Sequence, residues 1–351
     1  MDVNFSWEEV RRQAARFAGR FGAARLAGLG MFRPHYPPLA VEVGESAWSL
    51  VFVDRERRQG AVVRRYRQID IPAGAVDLQF GRPTLVRPAD VGAALLRVLQ
   101  QESIDASSVS LVLPDHLARV SLLHLGEQPL RRQEALDLIR WKLRKAVPFK
   151  IEDAHVDYQI FPIPAGGGAC LCLATTILQS VLDQYERLFR DIGLHLGLID
   201  LSTFNLVNLY VPLLRAEAGD VFVLNVTGSF FALMVLREGI PLFYRAKSYA
   251  FADDASRESR GNLLLRELDG SVAYYRERLG GTEPARVYLR CVDFDPGEVV
   301  RGVRERIGLT AETLDPGRVA QIVARESDAA AQQRLLQRIA PSLGAALGRE
   351  S

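Results

Sequence analysis

The sequence repeats one succession of predicted elements, and this repetition is the strongest constraint on its fold. Residues 39–71 alternate apolar and polar side chains around short turns, which predicts a meander of three strands, and residues 221–246 predict a second meander. Helices and single strands are predicted after each meander. The pattern therefore predicts a duplicated α/β architecture. The chain has 351 residues, which is enough for two such units.

The balance of charges argues against a nucleic-acid-binding protein. The chain has 44 basic and 42 acidic side chains and a net charge of +2, whereas nucleic-acid-binding proteins usually carry a concentrated basic surplus. No apolar stretch approaches the roughly 20 residues that a membrane span requires. The first 30 residues also lack the hydrophobic region of a signal peptide. We therefore expect a cytoplasmic protein.

The sequence contains no recognisable catalytic or metal-binding motif. Its five histidines lack the spacings of zinc sites, and no Walker loop or serine-hydrolase motif is present. Cys170 and Cys172 point to the same face of a predicted strand, so we interpret them as small core residues. We therefore predict no catalytic residues and no metal site.

The N-terminal segment predicts a basic amphipathic helix over residues 6–29, which begins with a capping box. Its apolar and basic positions include Trp7, Arg11, Arg12, Phe17, Arg20 and Phe21. Such a helix either lies on an anionic membrane surface or packs its apolar stripe on its own protein, and the sequence leaves both interpretations open. The proline-rich residues 34–38 predict a linker.

A helix predicted over residues 133–147 carries a tryptophan beside its main apolar stripe. Trp141 lies near Leu138, Lys142 and Lys145, and Phe149 follows the helix. Aromatic side chains with basic neighbours on the shoulder of a helix are typical of a protein-binding surface. The alternative is that Trp141 seals the core of its own subdomain.

The same region resembles a known family. Residues 136–153, LDLIRWKLRKAVPFKIED, and the following Asp157-Tyr158-Gln159 are similar to the signature of the PilM family, in which a helix leads through a turn into an Asp-Tyr-Gln strand. Weaker similarities keep the family's order through residues 39–349. They comprise Leu113-Pro114 and residues 178–200, 267–276, 313–316 and 340–343.

The resemblance implies an α/β, actin-like, two-lobed fold with an inserted small α/β subdomain at about residues 108–169. It divides the chain into an N-terminal helix and linker (1–38), a first lobe (39–215), a second lobe (216–330) and a C-terminal helix returning to the first lobe (331–351). Members of the family bind a short N-terminal segment of a PilN-type inner-membrane protein. They do so on the cytoplasmic face of a type IV pilus or related secretion machine.

Members of the family usually bind ATP between the lobes, but the first phosphate loop of this chain departs from their motif. Glu42 stands where the resemblance implies an aspartate, and Gly44 retains the glycine. Glu45 and Ser46 follow, so the loop gains a carboxylate where phosphate oxygens would lie. Two negative groups this close repel each other, which disfavours ATP.

The second phosphate loop and the adenosine motif depart as well. Asn225 replaces the metal-organising aspartate, and Thr227 precedes Gly228 and Ser229 at a glycine position. Residues 289–293 have lost the glycines of the adenosine motif, and Ser202 stands where the family has an acid. We therefore expect a vestigial site without a cofactor; ATP and magnesium are the expected cofactors if the site is retained.

The predicted function is that of an actin-like cytoplasmic adapter, peripheral to the inner membrane, without ATP turnover. Its expected partners are the tail of a PilN-like protein, other pilus or secretion proteins and an anionic membrane surface, but not nucleic acid. One alternative is an active ATPase of the same family. The other is a type II secretion scaffold, which normally continues into a transmembrane helix that this sequence does not contain.

Overall fold

The computed structural model describes residues 36–56, 60–126, 131–162, 169–249, 256–323 and 328–348. The predicted N-terminal helix over residues 6–29, with Trp7, Arg11, Arg12, Phe17, Arg20 and Phe21, lies outside the described residues. No helix in the described ranges is long and apolar enough to cross a membrane.

The described residues form seven α-helices and fourteen strands. The helices are α1 (Pro88–Gln101), α2 (Arg132–Leu143), α3 (Gln179–Asp191), α4 (Ser202–Ala216), α5 (Arg257–Arg278), α6 (Pro296–Gly302) and α7 (Ala329–Leu347). The strands are β1 (Leu39–Glu42), β2 (Ala47–Glu56), β3 (Gly60–Asp70), β4 (Ser108–Leu113), β5 (Arg119–Leu125), β6 (Ala154–Pro162), β7 (Cys170–Leu178), β8 (His195–Leu201), β9 (Asp220–Val226), β10 (Phe230–Arg237), β11 (Ile240–Ser248), β12 (Arg286–Cys291), β13 (Ala311–Thr313) and β14 (Gln321–Ile322).

Two sheets share one topology. The six-stranded sheet has the order β14-β3-β2-β1-β4-β8, and the five-stranded sheet has the order β11-β10-β9-β12-β13. In each sheet an antiparallel meander is joined through its first strand to two parallel strands. The duplicated α/β architecture predicted from the sequence is therefore confirmed. We call the six-stranded sheet with its helices the first lobe and the five-stranded sheet with its helices the second lobe.

Each lobe has its own core because its helices bury one apolar face on the sheet. Helix α1 buries Val91, Leu95 and Leu99, which recur every four residues, and it packs with α3 on the first sheet. Helices α5 and α6 cover the second sheet in the same way. A further cluster joins the lobes, because α4 contacts strands of both sheets and α7 packs on α4 and on strands of the first sheet.

The third sheet, ordered β5-β7-β6, packs against α2 and forms the inserted subdomain. Cys170 and Cys172 are buried in this core, as the sequence predicts. The sequence places the insertion at about residues 108–169, whereas the small sheet spans residues 119–178. The difference arises because β4 pairs with β1 and β8 in the first sheet and β7 is the central strand of the small one.

Several element ends differ from the sequence prediction. Helix α2 ends at Leu143 rather than at Val147, and a turn leads to Pro148. The short strand β14, within the range predicted as the second lobe, pairs with β3 of the first sheet. Helix α7 continues through Pro341. The remaining lobe boundaries stay predictions.

The contact between α7 and α4 depends on a glycine. A Cβ on Gly344 would collide with the backbone oxygen of Asn205. We therefore expect Gly344→Ala to lower the free energy of unfolding by about 1–3 kcal/mol, the usual cost of overpacking a core. Thermal or denaturant unfolding measures this loss.

Gly270 provides the matched control, since it lies in α5 and a Cβ there would meet no atom within 4 Å. Gly270→Ala should leave the stability unchanged or raise it by up to about 1 kcal/mol, because alanine favours helix. Equal effects of the two substitutions would contradict the close packing of α7 on α4.

Candidate functional site

The candidate site lies between the lobes, where the first strands of the two meanders end. Glu42 is the last residue of β1, and Asn225 is the penultimate residue of β9. Both side chains are buried. The duplicated topology thus brings the carboxyl ends of the two equivalent strands, β1 and β9, to one place. Ligands of open α/β sheets commonly bind at the carboxyl ends of strands.

The centre of this site is an arginine that the sequence analysis did not single out. Arg290 lies on β12, directly opposite Asn225 in the parallel pair with β9, and its side chain is 3% exposed. Its Nη1 donates to Oε1 of Glu42 at 3.0 Å, and its Nη2 donates to Oε2 at 2.9 Å. The geometry is bidentate, which is the strongest arrangement of a guanidinium and a carboxylate.

Two neutral side chains complete the arrangement. Ser202, at the start of α4, donates to Oε1 of Glu42 at 2.8 Å and accepts from Arg290 at 3.2 Å. Asn225 donates to Oγ of Ser202 at 3.0 Å, and its Oδ1 accepts from Nη1 of Arg290 at 3.1 Å. We call Glu42, Ser202, Asn225 and Arg290 the inter-lobe polar cluster.

The proline inside α7 has a role in holding the cluster. Pro341 lacks an N–H, so the carbonyl of Gln337, four residues earlier, has no helical donor. That carbonyl accepts from Nε of Arg290 at 2.7 Å, and the carbonyl of Arg338 accepts from Nη2 at 3.2 Å. The helix thus supplies a backbone acceptor for the arginine without leaving a buried carbonyl unsatisfied.

The inter-lobe polar cluster does not fit the magnesium and phosphate group that the resemblance implies. Magnesium is held by carboxylates and phosphate oxygens. Glu42 is the one carboxylate of the cluster, because Ser202 and Asn225 stand where the resemblance implies acids. Both oxygens of Glu42 are already engaged by Arg290. Across the described part of the chain, no group of three or more potential metal ligands occurs.

The other residues of the predicted phosphate loops lie in the turns that follow β1 and β9. Gly44 accepts a hydrogen bond from the Trp48 indole at 2.9 Å, while Glu45 and Ser46 are exposed at the turn. Gly228 and Ser229 form the turn between β9 and β10. Of the seven residues predicted for the nucleotide site, the structure therefore brings Glu42 and Asn225 together around Arg290.

A second polar contact crosses between the lobes beside the cluster. Asp115 follows β4 and is fully buried, and it accepts from the Tyr244 hydroxyl on β11 at 2.5 Å and from the backbone N–H of Thr203 at 3.0 Å. Burial raises the pKa of Asp115 to about 6, although the bonds from Tyr244 and Thr203 act to lower it. Asp115 has no cationic partner comparable to Arg290 among these contacts.

The predicted partner-binding residues lie together on α2 and the turn after it. Trp141 is 60% exposed, so the alternative that it seals the subdomain core is wrong. Lys142 and Lys145 are exposed and Leu138 is half-buried. Phe149 contacts Phe80 of the first lobe, with ring centroids 5.7 Å apart.

One sequence signal could have revealed Arg290. A charged residue in the apolar strand VYLRC predicts either an exposed position or a buried ion pair. The proline in α7 was a second signal, because it frees a carbonyl for an external donor.

The contact of Asp115 predicts a dependence of stability on pH. Because its folded pKa lies above the unfolded value of 3.8, protonation favours the native state. The stabilisation is complete below about pH 4 and is lost as the pH rises through about 6. The loss is on the order of 3 kcal/mol, from a shift of about two units.

Asp115→Asn should flatten this dependence, since an amide does not titrate and can still bond Thr203 and Tyr244. Urea unfolding from pH 4.5 to 8 measures the effect, with the exposed Asp157→Asn as control. The same slope in Asp115→Asn and in the unchanged protein would contradict this role.

Comparisons with known proteins identify the fold. No family model matches the chain, and no curated protein matches it. A chain of the solved "PilM–PilN type IV pilus biogenesis complex" matches with a TM-score of 0.74 and 18% identity, over 90% of this chain and 98% of that one.

Two other solved structures resemble the chain more distantly. They are the cytoplasmic domain of EpsL, an inner membrane component of the type II secretion system of Vibrio cholerae (TM-score 0.46, 12% identity, 86% and 93% coverage), and a Bacteroides thetaiotaomicron protein with an actin-like ATPase fold (0.46, 12%, 82% and 93%). The first match and the duplicated sheets together identify the fold. The chain therefore has the two-lobed, actin-like fold of the PilM–PilN structure, as its sequence predicts.

Proposed function

We propose that this protein is an actin-like adapter that binds the cytoplasmic segment of a PilN-like inner-membrane protein in a type IV pilus or related secretion machine, independently of ATP. The observation that carries the proposal is the inter-lobe polar cluster. In this cluster the side chain of Arg290 joins the two lobes at the position where members of the family would bind nucleotide and metal.

The charges of the cluster support independence from nucleotide. The resemblance implies acids at positions 42, 202 and 225, whose negative charges a metal ion would balance. This chain keeps one acid, Glu42, and provides its own cation, Arg290. Because the ion pair is buried and fully hydrogen-bonded, opening it for a ligand would cost several kcal/mol.

The α2 surface supports the binding of a protein partner. Trp141 and Lys142 are exposed on α2, and Lys145 is exposed in the turn after it. Arg144 lies over the Trp141 ring with 5.8 Å between its Cζ atom and the ring centroid. Exposed aromatic and arginine side chains are the residues that most often dominate binding energy. The lysines fit an acidic partner segment or lipid headgroups.

Helix α2 lies near the junction between the inserted subdomain and the first lobe. Pro148 and Phe149 follow the helix and pack on the first lobe, where Gly81 has a positive φ of 81° and a Cβ on it would lie 3.0 Å from Pro148. A partner on α2 would therefore lie close to the junction of the inserted subdomain and the first lobe. We further propose that the protein acts in the cytoplasm, peripheral to the inner membrane, and that residues 6–29 add contact with an anionic membrane.

The absence of nucleotide dependence is tested by titration with ATP and with ADP, each with magnesium, up to millimolar concentration. A ligand present at 100 times its Kd would stabilise the fold by about 2.7 kcal/mol, so binding would be visible as a rise in Tm. We expect neither a heat of binding nor such a rise. Micromolar binding in calorimetry would overturn this part of the proposal and favour the active ATPase.

The partner surface is tested with a synthetic peptide of the N-terminal segment of a PilN-type protein from the same genome. Trp141→Ala should weaken binding by at least about tenfold, the effect of removing an interface hot spot. Fluorescence anisotropy of a labelled peptide measures it.

Tyr274→Ala is the matched control, because Tyr274 is another exposed aromatic residue on a helix and lies in the second lobe. Its substitution should leave the affinity unchanged. Equal losses in the two variants, or no loss in Trp141→Ala, would place the partner elsewhere.

A further inference from the structure

Cations without acidic partners surround the C-terminal end of α2. Residues 138–151 contain no acidic side chain, and four exposed cations lie among them, namely Lys142, Arg144, Lys145 and Lys150. None of the four forms an ion pair with another side chain in the described ranges, whereas exposed arginines of other elements are often paired with a neighbouring acid. We call these four residues the basic end of α2.

The stability of the helix accounts for only part of this charge. Lys142 lies in the last turn of α2, where a cation interacts favourably with the carbonyl end of the helix, and Arg144 lies over the ring of Trp141. The effect of a helix end falls off within its last turn, so it does not account for Lys145 and Lys150, which follow the helix. Because like charges repel each other, an anionic partner would lower the free energy of the whole group.

The positions of the cations favour an anionic surface over a single acidic segment. Arg144 continues the helical backbone conformation, so it lies about 200° around the helix axis from Lys142, and one extended peptide would reach one of these sides. The field of an anionic bilayer instead attracts every cation within about 10 Å of it at 0.1 M salt, whatever side of the helix carries the cation. Trp141, which is 60% exposed, is of a residue type enriched where proteins meet the headgroups of a membrane.

We propose that the basic end of α2 binds the anionic headgroups of a phospholipid bilayer directly, with Trp141 in the headgroup layer. This contact is distinct from the one proposed for residues 6–29, and it holds the inserted subdomain against the membrane. The inference extends the proposed function, because the segment of an inner-membrane partner reaches the protein from the same bilayer. It does not require that partner to be present.

Flotation of the full chain with lipid vesicles tests the proposal. Vesicles of phosphatidylcholine mixed with phosphatidylglycerol should bind the protein more tightly than vesicles of phosphatidylcholine alone. The triple variant Arg144→Gln, Lys145→Gln and Lys150→Gln should lower the partition coefficient on the anionic vesicles by about 100-fold, because each cation near such a surface strengthens binding by about fivefold. Raising the salt from 0.1 to 1 M should release the protein, since the Debye length falls from about 10 to about 3 Å.

The triple variant Arg97→Gln, Arg187→Gln and Arg190→Gln is the matched control, because it removes the same charge from exposed positions on α1 and α3. It should bind the vesicles as the unchanged protein does, and the Tm of each variant checks its fold. Three outcomes would overturn the proposal: equal binding to the two kinds of vesicle, equal losses in the two triple variants, or no loss in the first one.

Binding of a labelled glutamate-rich peptide without binding to anionic vesicles would also overturn it and assign an acidic protein segment instead. The vesicles contain no protein partner. A failure of flotation therefore leaves the anisotropy test with the PilN-type peptide unaffected, and a failure of that test leaves flotation unaffected.

Discussion

The bidentate ion pair between Glu42 and Arg290 is the interaction on which the arrangement of the lobes depends. The two residues are 248 positions apart in sequence and belong to different sheets, and both are buried. A buried charge is tolerated where its partner and its remaining hydrogen bonds are in place. Removing one member of such a pair costs about 3–5 kcal/mol, because the other charge is left buried without a partner. The surrounding structure supplies them: Ser202 and Asn225 from two elements, and the carbonyl of Gln337 from a third.

Glu42 and Asp115 are buried carboxylates that take part in contacts between the lobes, and they differ in how their charge is balanced. Glu42 faces a guanidinium that remains charged at any pH a protein tolerates. Asp115 faces a hydroxyl and a backbone N–H, so burial acts on its charge with little compensation and raises its pKa. The two contacts lie side by side, because Ser202 and Thr203 at the start of α4 each bond one of the two carboxylates.

The sequence predicts the fold well because the fold depends on local periodicity. The alternation of apolar residues over 39–71 and 221–246 is visible in each strand and, once repeated, defines the duplication. Helical spacing also places Trp141 beside the apolar stripe of Ile139 and Leu143, but the sequence left open whether the side chain is exposed or seals the subdomain core. The short strands β13 and β14 could not be predicted, because two or three residues carry too little pattern and their pairing depends on distant strands.

The candidate site could be predicted only in part, because it depends on pairing between distant strands and not on local periodicity. Glu42 and Asn225 stand out as departures from a motif, but the meaning of these departures depends on Arg290, whose position is fixed by strand pairing between residues 65 positions apart. Pro341 signals a free carbonyl in α7, but the sequence does not show that Arg290 is the donor to it. Assigning the donor requires knowing that the carbonyl left free in α7 points at β12.

The proposed replacement of a diffusible cation by Arg290 has a thermodynamic consequence. A metal ion or nucleotide holds two lobes together in proportion to its concentration, because occupancy follows mass action. A guanidinium that belongs to the chain has a fixed effective concentration, set by the geometry of the fold. Under the function proposed above, closure of the lobes therefore does not follow the ATP or magnesium level of the surroundings, and it is a constant property of the folded chain.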